Sequence, residues 1–453
     1  MKLNEKIFRE YDIRGMADTD LTDSVVEQIG KGVGTFLRRH QGKRITLGRD
    51  CRLSSDRIRN TLAKALLSCG IDVVDIGLVP TPLSYFSVFH LETDGGVMIT
   101  GSHNPAEYNG FKVTVGKTTI HGEDIQQILQ LIKKQDFETG QGRESNAEVI
   151  PAYIDYVAQN VKLSAPVNVV VDSGNGMGGI VGPALYRKLG CQVTELFSDL
   201  DGRFPNHHPD PTVVENLAVA IKTVKEKKAT LAICFDGDAD RIGAIDQSGD
   251  VMFGDELLAL YARDILKTRP GAIVISEVKA SHRLYQDIAA HGGKPIMWKT
   301  GHSLIKAKMK ETGAVLAGEM SGHMFFNDRY FGYDDAIYAG ARLLEIVAKE
   351  QKSPAQLLSD LPKTFSTPEL RVDCPDEVKF SVVSQARTEF EQMGLKVNAI
   401  DGARIEFNDG WGLVRASNTQ PVLVYRFEAN SQARLNEIRA LVEGVISKHL
   451  KPK

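Results

Sequence analysis

The sequence is poor in cysteine and has no cysteine spacing typical of a zinc or redox site. Its five cysteines form no Cys-x-x-Cys pair; they are Cys51, Cys69, Cys191, Cys234 and Cys374. No stretch approaches the roughly 20 apolar residues that a membrane-spanning helix needs. The N-terminal segment MKLNEKIFREYDIRG also lacks the apolar core of a secretory signal. These absences predict a reduced, cytoplasmic location and no membrane partner.

An excess of positive charge is missing as well. The chain carries 55 Lys and Arg residues against 58 Asp and Glu residues, a formal net charge of -3. Proteins that bind nucleic acid through its phosphates usually concentrate positive charge, so nucleic acid is not an expected partner. The hydrophobic share of 42% and the charged share of 25% are those of ordinary globular domains.

The chain is long enough for several domains. At about 100 to 200 residues per domain, its 453 residues predict three or four of them. Short β-branched runs such as VNVVVD and LAIC alternate with helical segments, which is typical of βαβ units. One such helix is expected between Ser54, as its N-cap, and Gly70. Composition and the course of the motifs predict domains at residues 1–150, 151–250, 251–366 and 367–453.

A serine lies in a loop of small and turn-forming residues after the apolar run GVMIT. The segment T-G-S-H-N-P-A-E-Y-N-G-F-K spans Thr100–Lys112 and would expose Ser102. A serine hydroxyl is a weak nucleophile, so it needs a base, a metal or prior phosphorylation before it transfers a phosphoryl group. Alone, the motif would more often be an ordinary turn, and its significance depends on the other motifs of the chain.

Three aspartates follow the apolar strand LAIC in the segment F-D-G-D-A-D-R. Asp236, Asp238 and Asp240 can place three hard oxygen ligands around one Mg²⁺. An EF-hand loop would need glycine and glutamate where this chain has Arg241 and Gln247. Three solvated acids in a turn are the alternative, but like charges this close repel unless a cation binds between them. The spacing therefore favours a metal loop.

Two further loops carry groups that suit a phosphorylated sugar. In G-E-M-S-G-H, Glu319 and Ser321 can hydrogen-bond to vicinal hydroxyls, and His323 can carry a proton near neutral pH. In R-A-S-N-T-Q-P, the guanidinium of Arg415 precedes hydroxyl, amide and backbone donors in a turn closed by proline. Such a turn suits a phosphate dianion. By itself each motif could also be an ordinary loop.

The run VNVVVDSGNGMGG contains a glycine pattern similar to a dinucleotide-binding fingerprint. Gly174, Gly176 and Gly179 follow a strand with the spacing of that fingerprint. A nicotinamide-binding oxidoreductase would leave the serine, aspartate and phosphate-type loops unexplained, so it is the less favoured alternative. His207 and His208 have no third histidine or cysteine beside them, and a turn bounded by prolines explains them better than a metal site.

The four loops, in this order, resemble those of the α-D-phosphohexomutase superfamily, particularly of bacterial phosphomannomutase/phosphoglucomutase. The resemblance spans nearly the whole chain, from R-E-Y-D-I-R-G at Arg9–Gly15 to R-A-S-N-T-Q-P-V-L-V-Y-R-F-E at Arg415–Glu428. It implies a four-domain, heart-shaped α/β architecture of three similar mixed-sheet domains and a smaller α+β C-terminal domain. It also implies that phosphate moves between C1 and C6 of mannose or glucose through a phosphoserine and a hexose 1,6-bisphosphate.

The resemblance assigns roles to individual residues. Ser102 would be the phosphoserine and would bind Mg²⁺ together with Asp236, Asp238 and Asp240. The other catalytic residues would be Arg14, Lys112, Arg241 and His323, and all of these except Arg241 are open as proton-transfer residues. The residues that bind the substrate would be Tyr11, Lys279, His302, Glu319, Ser321, Arg415, Ser417, Asn418 and Thr419.

The resemblance also implies the partners. These are small hexose phosphates, with glucose 1,6-bisphosphate or mannose 1,6-bisphosphate as activator and intermediate, and the protein would be a monomer or weak dimer. Phosphoglucosamine mutases typically have glutamine where this chain has Met320, which favours unmodified mannose and glucose phosphates. Dual specificity is therefore expected, and phosphoglucosamine mutase is the alternative within the family. A sugar-phosphate binding protein without catalysis would lack Ser102 or an aspartate of the metal loop, and all are present.

Overall fold

Four β-sheets with their helices follow one another along the chain in the computed structural model, which describes residues 3–418 and 420–450. The first three sheets mix parallel and antiparallel pairs, whereas the fourth is antiparallel throughout. This confirms the predicted class of three mixed-sheet α/β domains followed by a smaller α+β domain. Within the described part of the chain, no helix is both long and apolar enough to cross a membrane.

The first domain is built on a seven-stranded sheet. Its strands are β1 (Ile13–Met16), β2 (Arg44–Arg49), β3 (Asp72–Leu78), β4 (Gly95–Ile99), β5 (Tyr108–Val115), β6 (Thr118–Thr119) and β7 (Glu144–Asn146). Its helices are α1 (Asp23–Arg39), α2 (Ser55–Ser68), α3 (Thr81–His90) and α4 (Glu123–Lys134). The strand order is β1-β5-β4-β2-β3-β7, and β6 pairs with β5. The central strand β4 is buried along its whole length, which suits its apolar sequence.

The second domain has a five-stranded sheet in the order β12-β11-β10-β8-β9. Its elements are α5 (Ile150–Asn160), β8 (Asn168–Asp172), α6 (Gly182–Lys188), β9 (Gln192–Leu196), α7 (Ala218–Lys227), β10 (Leu231–Phe235), β11 (Ile242–Asp246) and β12 (Val251–Met252). The β-branched run NVVVD forms β8 beside β10, and both strands have buried interiors.

The third domain has a four-stranded sheet in the order β14-β13-β15-β16. Its strands are β13 (Ile273–Glu277), β14 (Lys294–Trp298), β15 (Leu316–Gly318) and β16 (Met324–Phe326). Its helices are α8 (Gly254–Leu266), α9 (His282–Ala290), α10 (His302–Thr312), α11 (Ala336–Glu350) and α12 (Pro354–Leu357).

The fourth domain is an antiparallel sheet in the order β17-β22-β21-β20-β19, with β18 also paired to β22. Its strands are β17 (Phe365–Ser366), β18 (Leu370–Asp373), β19 (Lys396–Asn398), β20 (Ala403–Phe407), β21 (Gly410–Ala416) and β22 (Val422–Ala429). Its helices are α13 (Lys379–Gln392) and α14 (Gln432–Leu450), which pack against each other and against β21.

Apolar packing joins the first three domains more extensively than it joins the fourth. One cluster contains Phe86 of α3, Tyr153 of α5 and Tyr261 of α8, and the rings of Phe86 and Tyr153 lie 5.4 Å apart. The fourth domain has a core of its own, and a small cluster around Val278 and Trp411 joins it to the third domain. Polar contacts supplement this small cluster, because Arg404 donates to the Ala280 carbonyl at 2.9 Å and Glu428 accepts from Ser281 at 2.9 Å.

Two details of the sequence-based prediction differ from the structure or stay open. The expected helix after Ser54 is α2, but the Ser54 side chain does not cap it, because its Oγ accepts the Asn109 amide at 2.9 Å.

The domain boundaries stay predictions. The short strand β12 pairs with β11 of the second sheet, and β17 pairs with β22 of the fourth, although the predicted boundaries place both strands in the third domain.

Candidate active site

Each of the four predicted loops begins where a buried strand ends. The serine loop follows β4, the aspartate loop follows β10, the Glu319 loop follows β15 and the Arg415 turn closes β21. All residues of these four strands are buried. Since hydrogen-bonded neighbours fix a buried strand, the first side chains after it are held in defined positions. This explains how short polar motifs far apart in sequence can form one site.

Ser102 points at the aspartate loop of the second domain. Its Oγ donates to Asp236 Oδ2 at 3.1 Å and lies 3.2 Å from His103 Nδ1. The backbone of Ser102 is left-handed, with φ of 50°, which is unfavourable for a residue with a side chain. Gly237 packs on the Ser102 carbonyl, and a Cβ at this glycine would lie 2.4 Å from that oxygen. The contact between the two loops therefore requires glycine at position 237.

The three aspartates predicted to bind metal converge. Asp236, Asp238 and Asp240 are fully buried and each offers a carboxylate oxygen within 4.8 Å of the others. Burial, together with the other two carboxylates, raises the pKa of Asp236 well above its ordinary value. Within the described chain, Oδ1 of Asp238 has no hydrogen-bond partner, whereas Oδ1 of Asp240 lies 3.4 Å from His323 Nε2. A buried carboxylate oxygen without a donor fits a cation, and three converging carboxylates offer hard ligands, so this residue set is suited to hold a metal ion.

Lys112 of β5 reaches the same aspartates from the first domain. Its Nζ lies 2.8 Å from Asp238 Oδ2 and also contacts Asp240. Burial favours the neutral amine, but the two carboxylates outweigh it and raise the pKa of Lys112 well above its ordinary value. Thr81 of α3 also donates to Asp238, at 2.5 Å. The first domain thus supplies an ammonium and a hydroxyl to the acidic loop.

His323 connects the third domain to the acidic loop. Its Nδ1 lies 2.8 Å from Glu319 Oε2 and 3.1 Å from Ser321 Oγ, and its Nε2 lies 3.4 Å from Asp240 Oδ1. Burial opposes protonation, but Asp240 and Glu319 outweigh it and raise the pKa of His323 to about 9. Arg241 Nε is 3.4 Å from the same Nε2. When His323 Nε2 carries a proton that it donates to Asp240, Nε2 and Arg241 Nε are both donors. The 3.4 Å distance between them is then a contact between two donors rather than a hydrogen bond.

Lys279 and His302 are the predicted substrate-binding residues of the third domain that lie outside the Glu319 loop. Lys279 is buried and donates to Glu369 Oε2 of the fourth domain at 3.1 Å. The His302 ring lies 5.4 Å from the ring of His323. Burial, with the charge of Lys306, lowers the pKa of His302 well below its ordinary value. His302 thus lies beside His323 in the site, whereas Lys279 pairs with an acid of the fourth domain.

Tyr11 joins three domains at the phosphate-type turn. Its hydroxyl donates to the Thr300 carbonyl at 2.7 Å and accepts from Asn418 Nδ2 at 2.7 Å. The Arg415 guanidinium donates through Nε to Asp401 Oδ2 at 3.0 Å. The Asp401 carboxylate also accepts the Thr300 amide at 3.0 Å. The turn that carries the predicted phosphate donors is therefore tied to the first and third domains.

The remaining predicted residues have the following positions. Arg14 donates to Asn104 Oδ1 at 3.0 Å and contacts Asp12, so it lies beside the serine loop. Ser417 Oγ accepts the amide of Gln420 at 3.1 Å within the turn. Thr419 lies outside the described residues.

The glycine pattern that resembles a dinucleotide fingerprint lies under the metal loop. A Cβ at Gly176 would be 2.6 Å from the Gly237 carbonyl oxygen, and the Met177 amide donates to that oxygen at 2.9 Å. Close packing of the two loops therefore explains why position 176 is a glycine. His207 Nε2 lies 3.0 Å from Asp172 Oδ1, where it ties the proline-bounded turn to the end of β8.

The structure also adds residues that sequence reasoning did not select. Thr81 contacts the metal loop, Asn104 binds Arg14, and Asp401 binds Arg415. Asn104 stands inside the serine motif and could have been selected with it. Thr81 opens a helix and Asp401 stands in a turn, where threonine and aspartate are common, so neither carries a sequence signal.

Comparisons with known proteins agree with this arrangement. Family models of phosphoglucomutase/phosphomannomutase match the chain with α/β/α domain I at residues 5–139, domain II at 151–249, domain III at 253–365 and the C-terminal domain at 369–445. A phosphomannomutase/phosphoglucomutase of Pseudomonas putida is 46% identical, covering 96% of this chain and 94% of the relative. A phosphoglucomutase of Neisseria gonorrhoeae is 45% identical, covering 98% and 97%.

A solved structure supports the same assignment. A phosphoglucomutase/phosphomannomutase family protein from Burkholderia thailandensis has a TM-score of 0.93 and 42% identity, covering 99% of this chain and 98% of that chain. Four domains in this order, each placing a loop at one site, define a member of the α-D-phosphohexomutase superfamily. Within it, the chain belongs to the phosphoglucomutase/phosphomannomutase family. The resemblance drawn from the sequence is confirmed.

Proposed function

We propose that the protein is a magnesium-dependent phosphohexomutase that interconverts the 1- and 6-phosphates of glucose and of mannose. The observation that carries the proposal is the contact between Ser102 and the acidic loop. Ser102 Oγ lies 3.1 Å from Asp236, in a buried cluster that also contains the Lys112 ammonium. A hydroxyl nucleophile, hard oxygen ligands and a fixed cation are the groups that phosphoryl transfer requires. The names of the relatives support the same activity.

The acidic loop would hold Mg²⁺. Asp236, Asp238 and Asp240 supply three carboxylates, and an oxygen of phosphorylated Ser102 would add a fourth ligand. The buried Asp238 oxygen without a donor supports this assignment. When bound, the ion would neutralise the charge of the phosphoryl group and polarise it for transfer.

The reaction would begin with Ser102 phosphorylated. The free hydroxyl of a hexose 1- or 6-phosphate attacks the phosphorus; the bond to the Ser102 oxygen breaks and a bond to the sugar oxygen forms. The hydroxyl proton passes to a base of the protein, and the product is a hexose 1,6-bisphosphate. Lys112 and Arg241 place positive charge beside the acidic loop, where it would offset the charge of the phosphoryl oxygens. Arg14, Lys112 and His323 are the candidates for proton transfer, and each would have to be neutral to accept this proton.

The intermediate would then turn end for end, so that its other phosphate returns to Ser102. In both orientations Arg415, Ser417, Asn418 and Thr419 would bind the phosphate that is not transferred, and Glu319 and Ser321 would bind sugar hydroxyls. Lys279 and His302 would contact the substrate between these groups. Rotation of the fourth domain, which shares little apolar surface with the third, would admit and release the sugar.

A coupled assay that detects glucose 6-phosphate tests the activity. Glucose 1-phosphate with Mg²⁺ and a trace of glucose 1,6-bisphosphate should be converted by the wild type but not by Ser102→Ala. No motif residue is assigned to C2 of the sugar, so we expect mannose 1-phosphate to react at a rate within about a thousandfold of that of glucose 1-phosphate. Faster conversion of glucosamine 6-phosphate than of either hexose phosphate would instead identify a phosphoglucosamine mutase.

We further propose a cytoplasmic location, a monomer or weak dimer, and no role for nucleic acid or membranes.

A further inference from the structure

Arg52 lies beneath the serine loop and is fully buried, although no motif marks it. Its side chain is 0% exposed, and its Nε donates to Asp50 Oδ2 at 3.2 Å. The other donors bind backbone carbonyls of one segment, those of Ser102 (2.8 Å), Asn104 (2.6 Å), Pro105 and Tyr108 (3.0 Å). A guanidinium has five N–H donors, so every one of them has an acceptor here, and four of the acceptors belong to the serine loop.

The serine loop needs a partner of this kind. The left-handed backbone of Ser102 costs free energy and persists only where its surroundings support it. Its inward-facing carbonyl would be costly to bury without a donor. Arg52 supplies that donor, and Gly101 lets the guanidinium approach, because a Cβ at Gly101 would lie 2.6 Å from the Arg52 Cζ and Nε atoms. The loop conformation and the arginine therefore depend on each other.

The second domain covers Arg52 from the other side. The Arg52 guanidinium carbon lies 5.1 Å from the centroid of the Phe204 ring. A Cβ at Gly202 would be 2.4 Å from the Cys51 carbonyl oxygen, so the two domains are in close contact beside Arg52. The arginine thus lies where the domain that carries Ser102 meets the domain that carries Asp236.

We propose that Arg52 is a positioning residue that holds the Ser102 loop in the conformation needed for phosphoryl transfer. The inference rests on the proposed function, in which Ser102 carries the phosphate. Arg52 acts through backbone carbonyls and places Ser102 Oγ against the acidic loop. The planar guanidinium of Arg52 reaches four carbonyls from its two terminal nitrogens. Lysine cannot substitute for it, because a single ammonium group cannot reach all four. Arg52→Lys keeps the charge and removes this geometry.

The test compares Arg52→Lys with Arg342→Lys. Arg342 is an equally buried arginine of α11 that pairs with Asp328, and both residues lie outside the serine and metal loops. Arg52→Lys should slow phosphorylation of Ser102 by glucose 1,6-bisphosphate about a hundredfold, because misplacing a reacting group by 1 Å has an effect of that order. The KM for glucose 1-phosphate should change less than about threefold, since other loops bind the substrate. Arg342→Lys should change thermal stability but leave the phosphorylation rate near that of the wild type.

Amide hydrogen exchange of the peptide covering residues 100–110 gives a second readout that does not depend on activity. Faster exchange there in Arg52→Lys, but not in Arg342→Lys, supports the proposal; unchanged exchange and an unchanged phosphorylation rate overturn it. If the wild type gains no phosphate, the proposed function fails, and the exchange measurement still decides whether Arg52 orders the loop. Should Arg52→Lys fail to fold, Asp50→Asn provides the same comparison, because Asp50 accepts both the Arg52 Nε and the Gly101 amide at 3.2 Å.

Discussion

Lys112 Nζ lies 2.8 Å from Asp238 Oδ2 and also contacts Asp240, so a lysine of the first domain neutralises part of the acidic loop of the second. All three side chains are buried. Lys112 shares the acidic loop with a second cationic group, because His323 Nε2 lies 3.4 Å from Asp240 Oδ1. The pairing with Lys112 therefore keeps two buried carboxylates compensated.

Replacing Lys112 by methionine should make the fold depend on divalent metal. Removing one partner of a buried ion pair typically costs about 3 to 5 kcal/mol, because the other charge stays buried without compensation. The thermal midpoint of Lys112→Met should therefore drop clearly in EDTA and recover partly in Mg²⁺. The control is Lys349→Met, which removes a half-exposed lysine paired with Asp264 and should change little. Equal midpoints for Lys112→Met and the wild type in EDTA would contradict the prediction.

Removing the Tyr11 hydroxyl should impair catalysis more than stability. The hydroxyl bonds to the Thr300 carbonyl and to Asn418, and so connects the first domain to the third and fourth. Tyr11→Phe should lower kcat/KM in the coupled assay by about tenfold, the equivalent of a lost hydrogen bond of roughly 1.4 kcal/mol. Tyr186→Phe is the matched control, because its hydroxyl donates to the Ile337 carbonyl at 3.0 Å in the shared core. If both variants lose the same activity, Tyr11 has only a structural role.

Asp335 should make the protein less stable as the pH rises. Burial raises the pKa of Asp335 to about 7, although Tyr153, Tyr330 and the Tyr338 amide hydrogen-bond to it and oppose the rise. In the unfolded chain this carboxyl ionises near pH 4, so between about pH 4 and pH 7 the folded state keeps a proton that the unfolded state has lost. The free energy of unfolding should fall by about 1.4 kcal/mol per pH unit across this window.

Asp335→Asn removes that proton and therefore the slope. Urea unfolding of the wild type and of Asp335→Asn, followed at about pH 5 and about pH 7, measures the difference. The variant should lose less stability than the wild type between the two pH values. The difference in stability between the wild type and the variant could also be the same at both pH values. That result would show that Asp335 ionises in the folded protein at its ordinary pKa.

The strands and the loops that follow them could be predicted from the sequence, because both depend on local patterns. GVMIT and LAIC are apolar runs that end in polar motifs, and they form β4 and β10. The side chain of Ser54 shows the limit of such reasoning. It stands at an N-cap position, but its hydroxyl accepts from Asn109, a residue 55 positions away, which no local pattern indicates.

Partners across domains could not be predicted from spacing alone. Ser102 and Asp236 are 134 positions apart, and Tyr11 and Asn418 are 407 apart. Family resemblance selected those residues, but it selects only residues that stand in recognisable motifs. Arg52 binds backbone carbonyls of a motif without belonging to it, and only the folded chain brings the two together.

Intact-mass analysis of the wild type and of Ser102→Ala tests the central claim most directly. Both proteins are measured before and after incubation with glucose 1,6-bisphosphate and Mg²⁺. The account predicts that one phosphate appears on the wild type and none on Ser102→Ala. Phosphate on both proteins would place the modification at another residue, and phosphate on neither would remove the phosphoserine on which the proposed mechanism depends.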